Sequence, residues 1–171
     1  LPKDLSGLLY LAGQAGKKAL LLKAIHDVNA GQPVMVVEKA EKLLGSLKDK
    51  KIAVWGLAFK PETDDMRFAP AIPVISLLLS KQVHVSAYDP VAAENAKKLL
   101  PVSVDIYDDM YETVRDCDAL IIMTEWSAFA QADLELLRDI MKQPVVIDAR
   151  NIYSPADMKA RGFVYSGIGR R

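Results

Sequence analysis

Apolar and polar positions alternate along this chain in two different rhythms, and the change of rhythm divides it. Over residues 5–44 the apolar residues recur at helical spacing. Leu5, Leu8, Leu9 and Ala12 mark a first run, Gly16 interrupts, and a second run extends from Lys18 to Leu44 and stops at Gly45, a natural helix C-terminus. Gly31 and Pro33 fall in the middle of the second run. A proline removes one helical hydrogen bond and crowds the preceding turn, so the pattern predicts a kink or two abutting helices there.

From Lys51 onward short apolar runs alternate with helical stretches. Strands are predicted at Ile52–Trp55, His84–Tyr88, Val102–Ile106, Ala119–Met123 and Val145–Ile147, with helices near 71–80, 91–99, 110–116 and 133–142. The first, fourth and fifth strands are continuously apolar, as parallel strands covered on both faces must be. Ser154-Pro155-Ala156-Asp157 predicts a last short helix, with Ser154 as N-cap and Pro155 in the first helical position, ended by Gly162. Successive strand–helix units imply an α/β fold, a Rossmann-like doubly wound parallel sheet over residues 46–171, preceded by a helical region over residues 1–45 with a long connecting helix.

Composition narrows the functional classes. The 171 residues are 51% hydrophobic and 26% charged, with Lys+Arg and Asp+Glu both 22. A zero formal charge supplies no broad basic field for nucleic acid, so any anion must be held by a local cluster. The longest apolar stretch, Ala69 to Leu79, is broken by Pro70 and Pro73 and is too short for a bilayer span, and no signal-peptide pattern opens the sequence. The single cysteine, Cys117, rules out an internal disulfide and suits a reducing compartment, so the cytoplasm is the expected location. Cys117 stands between Asp116 and Asp118 at the start of an apolar strand. Neighbouring carboxylates disfavour a thiolate, so it reads as core filler rather than nucleophile. His26 and His84 have no metal-ligand companions at useful spacing, and no metal site is expected.

Candidate chemistry gathers just past the strands, where open α/β sheets bind ligands. After the first strand comes Gly56-Leu57-Ala58-Phe59-Lys60-Pro61-Glu62-Thr63-Asp64-Asp65-Met66-Arg67. Gly56 stands alone, without the G-x-G-x-x-G turn that cradles a dinucleotide pyrophosphate. Spacing leaves two readings of Lys60 and Arg67: a solvated loop in which Asp64 and Asp65 pair with them, or side-chain recognition of an anionic ligand. Asp89, ending the second strand, imitates a ribose-binding acid but reads as the N-cap of the helix after Pro90. Glu125 and Trp126 read as a wall of the sheet crevice.

The loop is similar to the G-L-x-F-K-x-x-T-D-D-x-R element of the UDP-glucose/GDP-mannose dehydrogenase family, in the wording of its UDP-glucose dehydrogenase group. Leu1-Pro2-Lys3-Asp4 resembles the end of the family's C-[FL]-P-K-D element. Tyr88-Asp89-Pro90, Thr124-Glu125-Trp126, Asp148-Ala149-Arg150-Asn151 and Gly167-Ile168-Gly169-Arg170 follow in the family's order. The resemblance covers essentially the whole chain. It implies that Phe59, Lys60 and Arg150 contact a UDP-sugar, that Lys3 and Arg67 contact NAD, and that Asp4 orders or activates water during hydrolysis of a thioester. It also implies that the nucleophilic cysteine and the NAD-binding half lie upstream, so that this chain alone is inactive. Phe68-Ala69-Pro70 departs from the family's R-E-[SA]-P and leaves Arg67 without an obvious partner.

The function so implied is the carboxy-terminal part of an NAD-dependent UDP-glucose 6-dehydrogenase, with self-association through the 18–44 helix. Apolar residues such as Val34, Val37 and Leu44 on that helix are expected to call for a partner. The alternatives are a GDP-mannose or UDP-N-acetylhexosamine dehydrogenase, or a nucleotide-binding or dimerisation module without chemistry.

Overall fold

The computed structural model describes residues 2–170. Two helices come first, α1 (Pro2–Gln14) and α2 (Leu20–Leu44), packed against each other. Then follow β1 (Lys51–Trp55), α3 (Ala71–Ser80), β2 (His84–Tyr88), α4 (Ala93–Leu99), β3 (Val104–Ile106), α5 (Met110–Val114) and β4 (Ala119–Ile122). The chain continues with α6 (Ser127–Ala130), α7 (Leu134–Ile140), β5 (Val145–Asp148), α8 (Pro155–Ala160) and β6 (Val164–Gly167). The six strands form one parallel sheet in the order β3-β2-β1-β4-β5-β6. This is the Rossmann-like, doubly wound arrangement expected, with its switch point between β1 and β4.

The strand period of two explains the layers. Ile52 and Val54 of β1 face one core with Ile121, Val145 and Ile147, covered by α3 and the end of α2. Ala53 and Trp55 face the other with Leu120, Ile122 and Val146, covered by Phe129, Leu137 and Met158. Trp55 stacks on Phe129 with ring centroids 5.0 Å apart. Every position of β4 and β5 is buried, which is why these strands read as unbroken apolar runs.

Four expectations change. β6 is a sixth strand that the pattern did not predict; it lies at the sheet edge, and only Gly167 in it is buried. The short helix α6 was likewise not predicted. α2 is one unbroken helix rather than two abutting ones: Pro33 lies within it, and the Asn29 carbonyl simply forgoes the bond that Pro33 cannot donate. Ser154 does hold the N-cap position of α8, but its hydroxyl makes no capping bond.

The apolar face of α2 also divides differently from the expectation. Val37 is buried in the core and Leu44 packs against it, so neither is free for a partner. Val34 is exposed, and the larger apolar surface lies earlier, on Leu8, Tyr10, Leu11, Leu20, Leu21, Ile25 and Val28.

Candidate functional site

The loop after β1 is held by a carboxylate. Asp89, buried at the end of β2, accepts the backbone N–H groups of Leu57 at 2.7 Å and Ala58 at 3.0 Å through Oδ2. Its Oδ1 accepts Val91 N–H at 3.0 Å and Ala92 N–H at 2.8 Å, and Trp126 Nε1 donates to Oδ2 at 3.3 Å. Asp89 is therefore not the N-cap expected: Ala92 holds that position of α4, without a side-chain capping bond, and Asp89 instead fastens the turn before that helix and ties down the first strand–helix turn. Across the switch point, Thr124 Oγ1 donates to the Ala58 carbonyl at 2.8 Å. Gly56 has φ +90°, and a Cβ there would lie 2.6 Å from Thr124 Cβ, so only glycine lets the two turns meet. The amides that would cradle a pyrophosphate are occupied by Asp89, and Thr124 fills the space. This crevice does not fit a dinucleotide.

The open surface lies beside it, beneath α2. One groove, about 680 Å³, is lined by Leu5 and Ser6 of α1, by Asn29, Gln32 and Pro33 of α2, and by Phe59, Phe68 and Pro70. A smaller one, about 200 Å³, is lined by Gln32, Pro33, Pro70, Met123, Arg150 and Ile168. They share Gln32, Pro33 and Pro70, so the two grooves adjoin along α2 and bring Phe59 and Arg150, distant in sequence, to neighbouring hollows.

The Arg150 guanidinium is held along one edge. Its Nε donates to the Met123 carbonyl at 2.7 Å, with a Glu125 carboxylate oxygen 3.1 Å away. Among the described residues no protein acceptor takes its Nη groups. The neighbouring Asp148 is not its ion-pair partner. That carboxylate is fully buried and accepts the backbone N–H groups of Arg150 and Tyr153 and the Tyr165 hydroxyl. Burial first, then the bond to Asp148, pushes the Tyr165 hydroxyl pKa up, which keeps it a neutral donor.

Lys60 is exposed beside half-buried Phe59 and lines neither groove. Arg67 faces elsewhere, into a concavity of about 570 Å³ with Thr63, Asn95 and Lys98. It does have a partner: Asp65 accepts Arg67 Nε at 2.9 Å and Nη2 at 2.8 Å, a bidentate pair that holds the Asp65 carboxyl down at about 2. Asp64 accepts Asn95 Nδ2 at 3.1 Å. Lys3 and Asp4 are exposed on the first turn of α1, next to groove-lining Leu5; Leu1 lies outside the described residues. Cys117 is fully buried, its thiol pushed up mainly by burial, as the filler reading expected.

Sequence reasoning missed Asn29 and Gln32, which bring polar groups to these grooves, and Glu125 as the partner of Arg150. It named Asn151 in the motif after β5 but not what it does: its side chain clasps Ile168, Nδ2 donating to the carbonyl at 3.0 Å and Oδ1 accepting the N–H at 3.1 Å. The break in the α2 pattern at Pro33 was the one available signal for the first two.

Comparison with known proteins settles the family. Residues 53–155 match the UDP-glucose/GDP-mannose dehydrogenase family, UDP binding domain. The chain belongs to this family. The family chain is 41% identical over 169 residues to UDP-glucose 6-dehydrogenase TuaD of Bacillus subtilis (strain 168), covering 99% of this chain and 37% of that protein. It superposes on a UDP-glucose dehydrogenase from Pyrobaculum islandicum with a TM-score of 0.85 and 32% identity, over 97% of this chain and 36% of that one. A UDP-D-ManNAc dehydrogenase from Pyrococcus horikoshii gives 0.78 and 29%, over 99% and 38%. The family chain thus spans less than two fifths of the length of these relatives.

Proposed function

We propose that this chain is the UDP-sugar-binding part of an NAD-dependent UDP-glucose 6-dehydrogenase, made of a helical region over 1–45 and a Rossmann-like domain over 46–171. The observation that carries the reading is the pair of adjoining grooves beneath α2, one lined by Phe59 and the other by Arg150, in a chain whose sheet matches a UDP-binding domain. Phe59 offers a ring face to the ligand, Arg150 a planar fork for diphosphate oxygens, and Lys60 a mobile point charge at the rim. Glu125 and the Met123 carbonyl hold the Nε edge of Arg150 so that the Nη edge stays available. UDP-glucose is preferred over GDP-mannose or a UDP-N-acetylhexosamine because the UDP-glucose dehydrogenases named above are 41% and 32% identical, against 29% for the UDP-D-ManNAc dehydrogenase, and because of the wording of the Phe59–Arg67 loop.

NAD is assigned to a separate amino-terminal half, since the crevice here is sealed by Asp89 and Thr124. Lys3 and Arg67 are assigned to reach toward it, and Asp4 to order water for thioester hydrolysis. The chain alone is then without dehydrogenase activity. In the cytoplasm, the helical arm pairs with a second copy through its exposed apolar residues.

Thermal-shift and calorimetric titrations with UDP, GDP and NAD test the reading. UDP raises the melting temperature, since it binds only the folded state, and GDP and NAD do not. Arg150→Ala weakens UDP binding by about tenfold or more through loss of a charged hydrogen-bonding pair. A GDP preference, or UDP affinity indifferent to Arg150→Ala, overturns it.

A further inference from the structure

Beyond the Gly167–Ile168 turn, α2 and the end of β6 enclose a further hollow, about 310 Å³, that shares no lining residue with the UDP grooves. Its wall carries Lys39, Lys42 and Arg170 and no carboxylate. In a chain with 22 basic and 22 acidic side chains, that is a local departure from balance. Some cations elsewhere are paired, as Lys97 is with Glu94 and Arg115 with Glu112. Among the described residues none of these three takes part in an ion pair.

Lys39 is half-buried, and its Nζ rests 3.1 Å from a neutral oxygen, Ser166 Oγ. Arg170 is steadied at one edge, where Nη1 donates to the Tyr153 carbonyl at 3.1 Å. Two acids nearby are engaged elsewhere, and Glu38 on α2 is exposed and does not line the hollow. Glu41, on the same stretch of α2, pairs with Lys81 at 2.8 Å, and Asp148, which Tyr165 touches, is fully buried and takes three hydrogen bonds. Ser166 and Gly167 end a strand of the parallel sheet, so the hollow opens on the side where such sheets take ligands. Gly167 keeps that wall at backbone thickness, because a side chain there would run into the Asn151 amide oxygen.

We propose that this hollow binds a phosphate-type oxyanion, free orthophosphate or the dianion of a phosphate monoester, between Lys39, Lys42, Arg170 and Ser166. Two ammonium groups supply point charge, the guanidinium a planar fork, and the serine hydroxyl a neutral donor. A concave, carboxylate-free wall concentrates their field. The site is separate from the UDP grooves and does not depend on that assignment.

The test is an amide chemical-shift titration of the 15N-labelled chain with inorganic phosphate, chloride being adjusted to hold ionic strength constant. Saturable shifts are expected at Ser166, Gly167 and Lys39, unchanged by saturating UDP. Lys39→Ala with Lys42→Ala lowers phosphate affinity by about tenfold or more, since each charged hydrogen bond is worth that much, while UDP affinity is kept. Arg150→Ala does the reverse. Glycerol phosphate separates the sources: tighter binding than orthophosphate assigns an ester, equal binding the free ion. Absence of saturable shifts overturns the site. So does displacement of phosphate by UDP, or undiminished binding in a double variant whose spectrum shows the native fold.

Discussion

The sheet and the helical arm are built from similarly apolar sequence and end in opposite situations. In β1, β4 and β5 nearly every side chain is buried, because helices cover both faces. On α1 and the first half of α2 the apolar residues remain in solvent: Leu20 is 72% and Leu21 74% exposed. One helix spans both situations, since Val36, Val37 and Ala40 near the end of α2 are buried while Leu21, Ile25 and Val28 near its start are not. Amphipathic periodicity specifies that a helix has an apolar face, and the neighbouring elements specify whether that face is satisfied. The sheet covers its own apolar faces, whereas the arm leaves apolar side chains exposed.

The largest effect expected on this contrast is from Gly56→Ala. A Cβ at φ +90° and 2.6 Å from Thr124 Cβ combines backbone strain with overpacking at the switch point. It should cost about 3–5 kcal/mol and collapse the sheet's cooperative unfolding, measured by urea denaturation. The arm answers differently. Leu21→Glu with Ile25→Glu should leave the sheet's denaturation midpoint in place but weaken self-association by about 2 kcal/mol or more, read by sedimentation equilibrium. A loss of sheet stability instead would erase the distinction between the two regions.

The smallest effect sharpens the account of the sheet. At its amino-terminal edge, Asp118 is buried and accepts Lys51 N–H at 3.1 Å, Gln143 Nε2 at 3.0 Å and the ammonium groups of Lys142 at 3.1 Å and Lys50 at 3.3 Å. Burial by itself raises its pKa, but these donors outweigh it and the carboxyl sits below its ordinary value. A depressed folded pKa means stability that is full above the unfolded value, near pH 3.9, and lost as pH falls through the folded one. Asp118→Asn should therefore cost about 1 kcal/mol at pH 7, and the gap to the unsubstituted chain should close toward pH 2 in parallel urea titrations.

What was legible in the sequence follows the same division. Buried strands announce themselves by continuous apolar runs, so β1, β4 and β5 were placed within a residue or so. β6 was not, because Val164-Tyr165-Ser166-Gly167 is an edge strand with little buried face and a terminal glycine. α6, at four residues, is too short to show a helical period. Phe59 and Arg150 were singled out by their strand-end positions together with the family resemblance. Their shared wall was not, because Gln32 and Pro33 come from a helix whose packing over the strand ends no local pattern encodes. Sequence proximity is also no guide to the acid beside Arg150. Asp148 is two residues away but turned inward, and Glu125 meets the guanidinium from another strand end.

By itself, then, the sequence determined what depends on neighbours along the chain: the strand and helix order, the parallel sheet that order requires, the lone glycine after β1, and the absence of a dinucleotide turn. The tertiary structure alone decided what depends on distant residues meeting. Asp89 and Thr124 close the switch point around Gly56, α2 walls the adjoining grooves of Phe59 and Arg150, and Lys39 and Lys42 line one hollow with Arg170. The physical reason is that hydrogen-bonding capacity and apolar periodicity are local properties of a residue pattern, while burial, charge pairing and concavity exist only once separate segments are packed together.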